Sequence, residues 1–331
     1  MDSKKQEIEN EGKIPYLAEI YEPKEDEKIN ELLDKLTRRI FYLPLEEYLP
    51  EEKQKLIEYY EYCLKQKYKI QNIVSGDKFY YPNIFRQLQG SDFNIEKSFD
   101  EIRKEIIFKN EKLPVETSQE FIDIINSGCV YIHGRDNVYR PLIVFKPALF
   151  NSLNYPVEIW QKFGIFLMEF LVNKTLVRSR VENWNIIVDF SDLSMTNIPY
   201  VLKDIFSAFK GIYRCRLYKL FLLNMNFVFS MVWNIVKMIM GPTLEAKACN
   251  VDTNDGTYDK LFQFINRSQV EKKYGGTADD LKPGEYYPLK FESDNYFCEN
   301  NKDGEKKIID DTIDNYYDED SKMVFYEGQS G

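Results

Sequence analysis

Histidine is nearly absent from this sequence: its 331 residues contain one, His133. Imidazole-based catalysis therefore has a single possible member, and a metal site that draws on histidine has none to spare. The five cysteines, Cys63, Cys129, Cys215, Cys249 and Cys298, are odd in number and far apart, with no CxxC. That spacing argues against structural zinc and against a disulfide framework, and fits a reduced, cytosolic protein. No GxSxG, HExxH or GxxxxGK[ST] occurs, so an enzyme's nucleophile, metal pair and phosphate loop are all missing. No catalytic residue, metal or cofactor is expected. A basic excess is missing too. Lys and Arg number 44 against 54 Asp and Glu, a net charge of −10, which makes a poor non-specific nucleic-acid binder. A local basic patch could still meet phosphate headgroups. Long apolar runs are lacking as well. The longest uncharged stretch, Leu220–Val236, falls just short of a membrane span and contains Asn224, Asn226, Ser230 and Asn234, so a buried strand followed by a buried helix explains it better. Met1–Gly12 is polar and acidic, unlike a signal peptide.

What the chain does have is globular: 44% apolar and 30% charged residues, enough to form a core. Aromatics reach 15%, with 24 Tyr and 23 Phe. They suit a pocket lined by flat rings, or reflect a bias that also enriches Asn, Lys and Ile. Lys24–Phe41 places Ile29, Leu32, Leu33, Leu36 and Ile40 on one helical stripe. Pro50 opens a second helix that runs to about Lys69. A short helix covers Ile84–Gly90, and Asn94 caps Ile95–Asn110, with Phe99, Ile102, Ile106 and Ile107 inward. After Pro114 the pattern alternates. Ser118–Asn126 is a short helix. Strands Cys129–His133 and Leu142–Lys146 flank the turn Gly134–Tyr139, and helix Pro156–Val177 follows. Then come strand Asn185–Phe190, helix Pro199–Ile212, strand Tyr218–Leu223, helix Phe227–Met240, strand Ala246–Val251 and helix Tyr258–Asn266. The expected fold is α/β: an all-helical amino-terminal lobe, then a mixed, largely parallel sheet flanked by helices. The expected divisions are a polar extension 1–23, a helical lobe 24–113, an α/β domain 114–277 and an acidic, loop-rich extension 278–331.

Helix Phe227–Met240 carries one thin polar stripe, Asn226, Ser230, Asn234 and Lys237, on an otherwise apolar cylinder. Such a helix shows a narrow face to water and buries the rest. It is either an ordinary core helix or a lid over an apolar cavity. A lid would press Phe227, Phe229, Trp233, Val236 and Met240 into a bilayer when open. Gly241-Pro242 just beyond it reads as a stop and a hinge.

Five segments in order resemble the CRAL-TRIO lipid-transfer family, over about residues 25–277. Ile84-Phe85-Arg86-Gln87-Leu88 through Phe93-Asn94-Ile95-Glu96-Lys97-Ser98 is similar to the family's LLRFLRARKFDVEKA segment. Gly134-Arg135-Asp136 with Arg140-Pro141 resembles its G-x-D-x-x-G-R-P hairpin, and Ile187-Val188-Asp189-Phe190 its central strand and D-L-x-G turn. Asn224–Pro242 resembles its strand end, lid helix and following proline, and Val270–Gly276 its closing L-P-x-x-Y-G-G. The resemblance implies a lipid carrier with no chemical step. The sheet would be the pocket floor and helices its walls, with Phe166, Phe170, Tyr213 and Phe190 joining the lid residues around the cavity. It also implies a phospholipid or other hydrophobic lipid as partner, transient contact with membrane surfaces from the cytoplasm, a monomer, and no nucleic acid.

The departures bear on the ligand. Where inositol-lipid carriers of the family hold phosphate with the RARKF segment, this chain has Gln89, Gly90, Ser91, Asp92 and Phe93. The acidic member of Y-P-E-R-[LM] is replaced by Cys215, and Thr-x-x-Lys is Leu244-Glu245-Ala246-Lys247, with Thr243 adjacent. Lys247 is the leading headgroup candidate, by a charge-assisted bond to phosphate, or it is a solvated lysine. Thr243, Arg214 and Arg216 could assist, and the arginines are equally well surface charges. Asp189 reads as a turn-capping carboxylate, and His133 as structural. Phosphatidylinositol binding is expected to be weak. The alternative is a non-exchanging lipid sensor or recruitment module that regulates a membrane-associated partner such as a lipid kinase.

Overall fold

The computed structural model describes residues 18, 21–32, 36–42, 47–66, 68–69, 81–177, 180–208, 210–240, 243–253, 256, 258–286 and 326–327. Its first elements depart from the helical periodicity of Lys24–Phe41. One helical turn, Glu25–Lys28, leads into a hairpin of β1 (Ile29–Leu32) and β2 (Leu36–Arg39), in register Ile29↔Arg39 and Leu32↔Leu36. The expected helix is replaced because distant side chains satisfy an extended backbone. The Arg39 amide donates to Gln89 Oε1 at 2.6 Å, and Gln89 Nε2 donates to the Arg39 carbonyl at 3.2 Å. The buried Arg39 guanidinium forks onto Glu52, at 3.0 and 2.5 Å. Tertiary partners of this kind override weak local propensity.

The helical lobe then follows its pattern: α1 (Pro50–Lys65), α2 (Tyr81–Gly90) and α3 (Ile95–Lys112). Asn94 caps α3 by accepting the Lys97 amide at 2.9 Å. Leu56, Tyr59, Phe85, Leu88, Phe99 and Ile102 form one buried cluster. Ile107, expected inward, is exposed.

Helix α4 (Gln119–Asn126) precedes the sheet. Five strands, β3 (Val130–Arg135), β4 (Pro141–Phe145), β5 (Trp184–Asp189), β6 (Leu217–Leu223) and β7 (Ala248–Asn250), lie in that order. The first pair is antiparallel and the rest are parallel. Each parallel step crosses through helix: α5 (Val157–Phe170), α6 (Leu202–Ala208), then α7 (Phe229–Met240) with the short α8 (Thr243–Lys247). This is the mixed, mainly parallel α/β architecture expected. Asp136 makes the β3–β4 turn, accepting the Val138 and Arg140 amides at 3.0 and 2.8 Å. Gly134 sits at φ +67°, and a Cβ there would lie 2.1 Å from the Gln269 carbonyl oxygen, so no larger residue fits.

Side-chain alternation along the strands divides the core. Ile187, Phe221 and Leu223 join the larger cluster with Ile143, Trp160 and Phe163. Val188, Leu220 and Leu222 face the other way, against Val228, Val232 and Leu244. Among the described residues no helix is long and apolar enough to cross a membrane.

Candidate functional site

The central strand carries an anomaly. Ile186 of β5 pairs with Ile143 on one side and Leu220 on the other, yet it is only half-buried. Phe145 and Leu217, on the flanking strands, are half-buried too, and all three pack against both apolar clusters. Interior strand residues are ordinarily covered on both faces in a parallel sheet. Incomplete cover at its middle marks apolar surface that the described residues leave open.

Helix α7 closes one side of this region. Val228 and Val232 are buried. Phe229 and Trp233 are half-buried and stack on each other at 5.7 Å, with Phe229 edge-on to Phe190 at 4.9 Å. Ser230 and Asn234 are exposed, and Lys237 reaches Glu245 at 2.6 Å. Asn226 leaves the expected polar stripe. Its amide donates to the carbonyls of Leu193 and Phe190 at 2.8 and 3.3 Å, and its oxygen accepts the Val228 amide at 3.0 Å. It therefore fixes the start of the helix. Phe227 stands apart from the cavity group, 82% exposed. The side chains of Val236 and Met240, and the Gly241-Pro242 hinge, lie outside the described residues. Phe166 and Phe170 of α5 and Tyr213 pack instead against the larger cluster, on the sheet face opposite Val228 and Val232, so the structure does not bring them to α7. Phe166 and Phe170 are half-buried, with Phe166 5.3 Å from Phe121 and 6.3 Å from Phe170. The Tyr213 hydroxyl donates to Glu169 at 2.7 Å, and burial pushes its pKa well up.

The headgroup candidates separate. Lys247 ends α8, half-buried, and its ammonium donates to the Leu217 carbonyl. Burial holds its pKa below the ordinary lysine value; the nearby Cys215 opposes this and Arg38 adds repulsion. Buried cations normally carry a carboxylate partner, and Arg39, Arg86, Arg140 and Arg216 each have one. Among the described residues none lies within ion-pair distance of Lys247. Thr243 opens the same short helix and is half-buried. Arg214 instead joins Gly90, Ser91 and Glu101, at 2.8, 3.0 and 2.8 Å, and Arg216 meets Glu182 at 2.6 Å. Both arginine charges are thus balanced within the chain. Gln89 is spent on Arg39 and on the Tyr42 hydroxyl at 3.0 Å. Arg38, beside Lys247, had no signal in the sequence, because only the hairpin brings it there.

Asp189 accepts the Ser191 amide at 2.9 Å, the Asn224 amide at 2.8 Å and the Tyr274 hydroxyl at 3.0 Å. Burial alone would raise its pKa, but the bonds from Asn224 and Ser191, with Lys146, hold it below the usual carboxylate range. His133 is buried, and neither ring nitrogen has a hydrogen-bond partner among the described residues. Burial lowers its pKa; Glu271 opposes this and Lys273 adds to it. The unfolded chain takes up a proton near the reference value of 6.5, and the folded chain does so only at lower pH. Stability is therefore full above about 6.5 and falls as pH drops below it, at up to about 1.4 kcal/mol per pH unit, until the folded-state pKa is passed. His133→Leu is expected to flatten that slope in urea titrations between about pH 5 and 7, where the unperturbed imidazole titrates. An unchanged slope would assign the pH dependence to other groups.

Residues 125–276 match the family model described as CRAL/TRIO domain. Over those residues the chain is similar to a CRAL/TRIO domain. A relative is the phosphatidylinositol transfer protein CSR1 of Eremothecium gossypii, 22% identical over 175 residues, which cover 52% of this chain and 39% of that protein. The match thus spans about two fifths of the relative's length. The crystal structure of Sfh5 superposes on 76% of this chain and 96% of its own, with a TM-score of 0.53 and 17% identity. That likeness concerns the fold. CRAL/TRIO transfer proteins are lipid carriers rather than enzymes, in keeping with a site built from rings, aliphatic groups and one buried ammonium.

Proposed function

We propose that this CRAL/TRIO chain holds one lipid, a phospholipid foremost, in an apolar cavity between the sheet and α7, and exchanges it with membranes. The observation that carries the reading is the half-buried Ile186 at the middle of the sheet, with Phe145 and Leu217 beside it. Acyl chains would complete that surface. Lys247, with Thr243 at the other end of α8, would meet the phosphate, supplying an anion that the lysine lacks among the described residues. Nothing in this arrangement favours an inositol ring. Native mass spectrometry of protein from its own cells, with lipid extraction, is expected to show one bound lipid per chain. In exchange assays phosphatidylinositol is expected to compete no more than about tenfold better than phosphatidylcholine, a gap of about 1.4 kcal/mol. A lipid-free protein that takes up neither would sink the carrier reading. Phosphatidylinositol binding far more than about tenfold tighter than phosphatidylcholine binding would overturn the assignment of the headgroup.

The internally balanced Arg214 and Arg216 favour a second reading, a module that holds lipid without releasing it and recruits a partner such as a lipid kinase. Transfer between donor and acceptor vesicles separates the two.

A further inference from the structure

Two loops leave the carboxyl ends of the adjacent parallel strands β5 and β6, and so emerge at the same edge of the sheet. They hold most of the strongly exposed large apolar side chains among the described residues. Met195 is 54% exposed, Tyr200 60%, Met225 38% and Phe227 82%; only Leu49, Ile57 and Ile107 compare elsewhere. The loops are tied into one unit. Asn226 donates to the Leu193 and Phe190 carbonyls, and Asn224 to Asp189. Within the first loop the Asn197 amide donates to the Asp192 carbonyl at 3.1 Å, and its oxygen accepts the Ser194 amide at 2.7 Å. The exposed side chains are therefore held out by a braced backbone.

Charge is sparse in this place, Asp192 at the start of the first loop being the exposed exception. Leu193–Leu202 and Leu220–Val236 contain no Asp, Glu, Lys or Arg, in a chain that is 30% charged. We propose that Met195, Tyr200, Met225 and Phe227 form a tip that enters a lipid bilayer while α7 stays closed, and that it favours zwitterionic over anionic membranes. This deepens the carrier reading, which needs a membrane without saying which surface meets it. The tip is made of a few exposed side chains on two loops. A stable protein interface needs about 800 Å² of fitted surface per partner, whereas a bilayer closes around any small protrusion. Aromatic rings and methionine suit the boundary between headgroups and acyl chains. The uncharged tip carries no desolvation penalty of ionised groups. The chain's net charge of −10 repels an anionic surface, so attraction must come from apolar insertion and be nearly insensitive to salt.

The test is co-sedimentation with phosphatidylcholine vesicles, at low and high salt, of the full chain, of Met195→Ser/Phe227→Ser and of Ile57→Ser/Ile107→Ser. Both pairs are exposed, and thermal unfolding checks that each variant folds. The tip variant is expected to bind at least about tenfold more weakly, as loss of two inserted side chains requires, and the helical-lobe variant like the parent. Adding anionic lipid should weaken binding of the parent. Equal binding by the tip variant, no binding by the parent, or binding seen only on anionic vesicles and abolished by salt would each overturn the proposal. Lipid extraction is read separately: tip-dependent binding without extraction would leave the tip standing and remove the carrier.

Discussion

Replacing Glu182 with glutamine is expected to lower the unfolding free energy by about 3–5 kcal/mol, the usual effect of stripping the anion from a buried ion pair. The Glu182 side chain is 1% exposed and accepts from two guanidinium groups, Arg86 Nη2 and Arg216 Nη1. Arg86 belongs to α2, Glu182 lies just before β5, and Arg216 just before β6. One carboxylate thus fastens the helical lobe to the sheet. The amide of glutamine nearly preserves shape while removing the negative charge that these two buried guanidinium groups share, so the loss measures charge rather than packing. Removing the exposed pair Lys237–Glu245 by Glu245→Gln should shift stability by less than about 1 kcal/mol. Equilibrium unfolding in guanidinium chloride at neutral pH compares the two. A loss below about 1 kcal/mol for Glu182→Gln would mean that water reaches the cluster and that the lobes are joined otherwise. The site has a stake in this joint, since the Arg86 carbonyl accepts from Cys215 Sγ at 3.6 Å and Cys215 lies beside Lys247.

The contrast between β5–α6–β6 and the amino-terminal hairpin shows what local pattern can carry. Strand Asn185–Phe190 is observed as Trp184–Asp189, a difference of one residue in its bounds that leaves the facing of its side chains unchanged. The helix expected over Pro199–Ile212 shrinks to Leu202–Ala208, and Gly211, at φ +87°, belongs to the turn that follows. The Lys24–Phe41 stripe has helical spacing, yet the hairpin is decided by Gln89 and Glu52, which no local window contains. The candidate site divides along the same line. The apolar lining and the position of α7 follow from periodicity, and Lys247 from the resemblance of its segment. The commitment of Arg214 to Glu101 and of Arg216 to Glu182 could not be read, because Glu101 and Glu182 sit in no motif. Nor could Asn226 be separated from the polar stripe, since capping and solvent exposure call for the same residue type.

Gly276→Ala is expected to destabilise the chain by about 3 kcal/mol or more, the range of a side chain forced into filled space. A Cβ at Gly276 would lie 1.8 Å from the Val270 carbonyl oxygen and 2.8 Å from that of Arg267. Both are backbone atoms, so no rotamer relieves the clash. The turn is already closed by Gly276 donating to the Glu271 carbonyl at 3.1 Å, Thr277 to Arg267 at 2.8 Å and Ala278 to Val270 at 3.1 Å. Any shift that admits the methyl group breaks part of that set. For a chain of this size the loss corresponds to a fall in melting temperature of roughly 5–10 °C. The effect should also reach α7. Tyr274, in the same turn, donates to Asp189, and the same carboxylate accepts the Asn224 amide at the root of that helix. Hydrogen exchange over residues 224–240 should therefore quicken in Gly276→Ala, and more mildly in Tyr274→Phe, which removes only the hydroxyl contact. Unchanged exchange in Tyr274→Phe would confine the damage to the turn and show that Asp189 holds the root of α7 without it. A Gly276→Ala protein that melts with the parent would mean that this backbone approach is looser than 1.8 Å implies.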